Sequence, residues 1–224
     1  MNLFYALGYK EWIKTRCIIG VLVLLFAAVL TYTFIEITYS LRLEGAVHTW
    51  YSHIYQGVSV APWFACLTLL AGLVLALTQF VPEMTNKRLK LTLHLPAHEI
   101  RIMSSMLLYG LCALFLLFFL FEAVLVGIGS LYLPAGVLRQ LGWQLLPWSM
   151  AGIAVYGFTA WVCIEPQWKQ RIWNALTGIA GIAMLYVSQY PGVYAHFLAE
   201  SIAIAFLALL FPLYSCARFK NGIQ

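Results

Sequence analysis

Long unbroken apolar runs alternate with short polar connections along this chain. The runs CIIGVLVLLFAAVLTYTFI (residues 17–35) and MLLYGLCALFLLFFLF (residues 106–121) are continuous. A strand of a membrane barrel would alternate apolar and polar at every second residue, so these runs predict helices. A hydrocarbon core about 30 Å thick takes roughly 20 helical residues per crossing. The pattern predicts an all-α membrane protein with six crossings, at residues 17–36, 58–80, 102–127, 143–164, 173–189 and 197–214, in a single transmembrane domain over 1–224. The opening MNLFYALGYKEWIKTR sets Leu3, Phe4, Leu7 and Tyr9 or Trp12 at near-helical spacing. It predicts a short amphipathic helix over 1–16 lying in the interface before the first crossing, although a plain basic flank accounts for its charges equally well. Residues 37–57 read as the longest outer loop, and Pro191 with Gly192 break the chain before the last crossing.

Composition agrees with this pattern and narrows it. Apolar residues make up 63% and charged residues 9%, far from the roughly 25% charge of a soluble domain. All the acids are Glu, and the net charge of +5 comes from 13 Lys and Arg. Eleven of those, Lys10, Lys14, Arg16, Lys87, Arg88, Lys90, Arg101, Lys169, Arg171, Arg218 and Lys220, fall on alternate connections, leaving Arg42 and Arg139 on the others. The excess therefore speaks of orientation rather than nucleic acid, and it places the first set and both termini in the cytoplasm. Trp12, Trp161, Trp168 and Trp173 then line the inner interface, and Trp50, Trp63, Trp143 and Trp148 the outer one, as lipid anchors or packing residues.

Most catalytic chemistries lack their residues here. There is no HExxH, no GxSxG, no paired Asp, no CxxC and no GxxxxGK[ST], so no catalytic residue is assigned and the chain has no means of its own to cradle ATP phosphates. Cys17, Cys66, Cys112, Cys163 and Cys216 sit in apolar runs and read as small buried hydrophobes. His94 and His98 have the i, i+4 spacing of metal ligands, but Pro96 between them disfavours the helix this requires, so no metal site is assigned. Glu122 and Glu200 lie in apolar sequence, either lining a substrate path or serving as satisfied structural carboxylates.

One connection remains, the charged island FVPEMTNKRLKLTLHLPAHEIRIMSSM at residues 80–106. Its leucines, with Lys90 and His94 beside them, give a short helix one apolar and one charged edge, which suits either a docking surface or a basic loop sunk in the interface. The segment resembles the connection between the second and third spans of type-2 ABC transporter permeases, the transmembrane subunits of that family. The family pattern runs from a Glu through a basic stretch, Gly-Thr and leucines to a Pro thirteen residues after the Glu. Glu83 and Pro96 have that separation, Leu89, Leu91 and Leu93 take the apolar positions, and Lys87 and Arg88 replace Gly-Thr. The resemblance implies a coupling helix within 81–101 that docks on an ATPase, with Glu83, Lys87, Arg88, Leu89, Lys90 and Leu93 in contact and residues 1–16 bracing it. It further implies a second permease copy or paralogue, ATP and magnesium bound by the ATPase rather than by this chain, and a bacterial inner-membrane setting. The expected cargo is an amphipathic or lipid-like compound, probed against the alternative of a non-transporting anchor or sensor subunit.

Overall fold

A computed structural model describes residues 3–56, 58–85, 98–186 and 197–220. Its described elements are seven helices: α1 (Leu3–Leu43), α2 (Ala46–Ile54), α3 (Trp63–Thr85), α4 (Glu99–Gly129), α5 (Ala135–Ile164), α6 (Trp168–Tyr186) and α7 (Leu198–Lys220). Five of them, α1, α3, α4, α5 and α7, are long and apolar enough to cross a membrane, so the chain is a multi-pass helical membrane protein. The expected crossing at 173–189 starts inside α6 and ends outside the described residues. Over its described length α6 is more polar than the other five, because Lys169, Gln170, Arg171 and Asn174 occupy its first two turns.

Two expectations are corrected. Residues 1–16 do not form a separate interfacial helix, because Leu3–Leu43 is one unbroken helix of 41 residues, about 60 Å long at 1.5 Å per residue. No proline interrupts it, and its first turns are held against the end of α3 by the ion pairs described below. The stretch 37–57 is not a loop for most of its length. It completes α1, turns at Gly45, whose φ of 82° favours glycine, and forms α2.

The contacts give the directions: α1 and α3 run antiparallel, whereas α1 and α4, and α5 and α7, run parallel. Along α1 and α3, Lys14 meets Glu83 while Phe26 meets Phe64. Along α1 and α4, Thr15 meets Tyr109 while Phe26 meets Phe118 and Phe121. Along α5 and α7, Trp161 meets Ser215 while Gly157 meets Ala208. The start of α1 and the end of α7 thus share one end of the bundle with Lys10, Lys14, Arg16, Arg101, Lys169, Arg171 and Arg218, whereas Arg42 and Arg139 lie at the other. We call these the basic end and the far end.

The central element is α5, which packs on α3, α7, α6, α4 and α2. Small residues let its neighbours approach. A methyl group at Gly152 would stand 2.9 Å from the Thr68 carbonyl oxygen of α3, and one at Gly157 would stand 2.7 Å from the Ala208 carbonyl of α7. Both backbones are in contact there, the packing mode that membrane helices use where burial from water gives no drive. Toward the far end Phe26, Phe64, Phe118 and Phe121 fill the space between α1, α3 and α4, with the Phe64 and Phe121 rings stacked at 4.7 Å. Pro82, Pro147 and Pro212 lie inside α3, α5 and α7, positions tolerated in membrane helices whose neighbours support the freed carbonyls.

The threonine hydroxyls follow the same need for satisfaction in an apolar medium. Thr33, Thr38 and Thr78 each donate to the carbonyl four residues earlier, at 2.7 to 2.9 Å. The cysteines depart from expectation, since Cys216 is buried, Cys163 half-buried, and Cys17, Cys66 and Cys112 are exposed on the outside of the bundle. An apolar run seen in sequence does not distinguish a side chain facing the core from one facing lipid.

Candidate functional site

A polar network crosses the apolar interior near the basic end and joins four helices. It begins in a repeat on α3, where Thr68, Gly72, Leu75, Ala76, Gln79 and Glu83 all lie on the buried face. Steps of three and four place them on one stripe, and the stripe turns polar over its last two members. Gln79 is fully buried and satisfied from both ends of its amide. Its Nε2 donates to the Met106 carbonyl of α4 at 2.7 Å, and its Oε1 accepts from the Tyr156 hydroxyl of α5 at 2.8 Å. Gly110 of α4 leaves the room that this hydroxyl occupies, because a methyl group there would meet the Tyr156 ring.

One turn further, Glu83 is 1% exposed at its side chain and faces α1 rather than solvent. Lys14 Nζ donates to its Oε1 at 2.8 Å, and Lys10 Nζ lies 3.0 Å from Oε1 and 3.2 Å from Oε2. Lys14 also donates to the Gln79 carbonyl at 3.3 Å. Its Nζ stands 2.7 Å from Glu11 Oε1 as well, close enough to pair the charges but off the line of a hydrogen bond. Glu11 is fully buried, and among the described residues its Oε2 has no hydrogen-bond partner. Beside it, Thr15 Oγ1 shares a hydrogen bond of 2.8 Å with the Tyr109 hydroxyl of α4. Two carboxylates and two ammonium groups thus balance inside the bundle, which is the condition for keeping charge out of water.

A second polar group closes the basic end on the other side of α5. Glu165, just past α5, accepts from Ser215 Oγ at 2.8 Å, and Ser215 in turn accepts from Trp161 Nε1 at 3.1 Å. Arg171 clasps the Glu165 carbonyl through Nε and Nη2 at 3.2 and 2.7 Å. Arg218 lies 3.9 Å from the Glu165 carboxylate. These contacts tie α5, α6 and α7 together where the chain turns.

The residues singled out in sequence fall in different places. Glu83 belongs to the buried network. Lys87, Arg88, Leu89, Lys90 and Leu93 lie outside the described residues, as do His94 and Pro96; residues 81–85 belong to α3 and 99–101 to α4. Glu122 is half-buried on α4 and accepts a hydrogen bond of 2.6 Å from Ser149 Oγ on α5. Glu200 is exposed in the first turn of α7, so the structure does not bring these two carboxylates together with the Glu83 network. Glu11, Gln79, Tyr109 and Tyr156 were not foreseen. A signal existed for Gln79, which stands one turn before Glu83 in an otherwise apolar helix. Tyr156 carries none, since its partner lies on another helix, and Glu11, three residues before Lys14, has no local sign that it is buried.

No family model, curated protein or solved structure matches the chain.

Proposed function

We propose that the chain is the membrane subunit of an ABC-type transporter, working as one of a pair and driven by separate ATPase subunits. In this reading α6 makes the sixth crossing, the basic end faces the cytoplasm, and the segment 86–97 docks on the ATPase. The observation that carries it is the anchoring of Glu83. The docking segment leaves α3 two residues after Glu83, and a docking segment can transmit force only if its root moves with the bundle. Lys10 and Lys14 bind that root to α1, and Gln79, one turn back, binds it to α4 and α5. A push at the root therefore reaches four helices. The cargo is amphipathic or lipid-like and moves outward, and ATP with magnesium is held by the partner.

A second reading, a non-transporting anchor or sensor subunit of a larger complex, draws on the close packing of α5 against both α3 and α7 at Gly152 and Gly157. One preparation separates the two. In the first reading the detergent-extracted protein co-purifies with an ATPase, and Lys87→Glu with Arg88→Glu weakens that complex without unfolding the chain. Purification as a stable assembly free of any ATPase would sink it. An ATPase-bound complex that moves no lipid-like probe on addition of ATP selects the second.

A further inference from the structure

We propose that α2 is an interfacial helix, its outward face seated at the boundary between lipid headgroups and acyl chains at the far end of the bundle. The nine residues of α2 span about 14 Å, too short to cross. They present one covered face and one exposed face. Toward the bundle, Thr49 is 1% exposed and Trp50, Ser52 and His53 are half-buried against α1 and α5. The chain after α2 is tied back beneath it, with the Val58 amide donating to the Ser52 carbonyl at 3.2 Å and His53 Nδ1 2.9 Å from the Val58 carbonyl oxygen. These bonds fix which way α2 faces.

The opposite edge is apolar and uncovered. Val47, Tyr51, Ile54 and Tyr55 follow helical steps of four, three and one, so they share a face, and Val47 and Tyr55 are 78% and 76% exposed. The Tyr51 and Tyr55 rings stand 5.2 Å apart. No Lys, Arg or Glu interrupts this face. His48, three positions before Tyr51 and seven before Tyr55, borders this face, and it stands 3.3 Å from Glu44 in the turn after α1, both exposed.

Water covers His48 and Glu44 well and the apolar residues of the face poorly, and contiguous exposed apolar surface marks an interaction site. Lipid is the occupant that the surroundings favour. Exposed Tyr39 and Leu43 stand at the end of α1 and exposed Val58 and Trp63 where the chain enters α3, so apolar surface flanks α2 along the chain on both sides. Those helices are themselves apolar toward the outside. Two tyrosines on the face suit the interface rather than the hydrocarbon centre, since each ring is apolar and each hydroxyl keeps water. An amphipathic helix with this division lies in the plane of the membrane. The glycine turn at Gly45 separates α2 from α1. This inference does not depend on the transporter reading.

Nitroxide labels test it. Single cysteines at Val47, Tyr51, Tyr55, Glu44 and His48, in protein whose exposed Cys17, Cys66 and Cys112 are serine, would be read in phosphatidylcholine–phosphatidylglycerol vesicles. Collision with oxygen reports lipid, and collision with a water-soluble nickel chelate reports solvent. Labels at 51 and 55 are expected to favour oxygen several-fold more than labels at 44 and 48. Equal preference for nickel at all five sites would overturn the assignment. So would exclusion of both reagents at 51 and 55 together with spin–spin broadening, which would place a second copy of the chain on the face.

Discussion

Lys14 Nζ on α1 stands 2.8 Å from Glu83 Oε1 on α3, joining residues 69 positions apart inside an otherwise apolar bundle. The pair fixes the register of the two helices and draws in Glu11, Lys10 and Gln79. Breaking a buried pair by removing one partner leaves an uncompensated charge, at a cost of roughly 3–5 kcal/mol. Glu83→Gln and Lys14→Met are therefore expected to lower the thermal midpoint of the detergent-solubilised protein strongly. Lys10→Met should cost less, because Lys10 keeps a third of its side chain in solvent. Thermal denaturation followed by size-exclusion chromatography checks the order, and a Lys10 variant as damaged as the Lys14 one would contradict it.

Tyr156 and Gln79 make a second, uncharged link. Tyr156→Phe leaves the Gln79 oxygen buried without its donor, a loss of about 1–2 kcal/mol. Gln79→Leu removes two bonds and leaves the Tyr156 hydroxyl without its carboxamide acceptor. The double variant is expected to lose less than the sum of the two single losses, since each single change orphans a group that the double removes. Strict additivity in a double-mutant cycle would mean that the two side chains do not act as a unit.

The close approach of α5 and α7 predicts a contrast between glycines. Gly157→Leu must drive α7 away from α5 and is expected to abolish a monodisperse folded species. Gly20 has nothing within 4 Å of its Cβ position, so Gly20→Ala should be neutral or stabilising by up to about 1 kcal/mol, the helix-propensity difference. Fluorescence-detected size exclusion of the two variants beside the parent protein decides this.

Glu122 offers a milder case. It accepts one hydrogen bond from Ser149, and a carboxamide oxygen accepts equally well. Glu122→Gln should therefore keep the parent's stability within about 0.5 kcal/mol, the range of changes that break none of the fold's key interactions. A large loss of stability would show that the carboxylate charge itself is held by the fold.

Five of the expected crossings were legible because each of those apolar runs is long and uninterrupted, and the division of charge between the two ends of the bundle was legible because Lys and Arg sit on alternate connections. The break expected at Arg16 was not real. A basic residue near a membrane entry reads as a boundary, whereas here Lys10 and Lys14 turn inward to a carboxylate on another helix. The stretch after residue 36 misled for a related reason, since Arg42, Glu44 and His48 look like loop residues, whereas Arg42 lies in the last turn of α1 and His48 on the exposed side of α2. Glu83 was visible as a residue of interest but not as a buried one. Its partners precede it by 69 and 73 positions, and no local pattern reports a pairing across that distance.

The unbroken course of α1 has a mechanical consequence. At about 60 Å it is twice the thickness of a hydrocarbon core, and it is held near one end by Glu83 and meets α2 at the other. It is a lever with its pivot in the bundle. A tilt of about 5° about the basic end would carry the far end roughly 5 Å sideways, on a helix of this rise per residue. A rigid α1 would therefore enlarge at α2 any rotation imposed where Glu83 holds it.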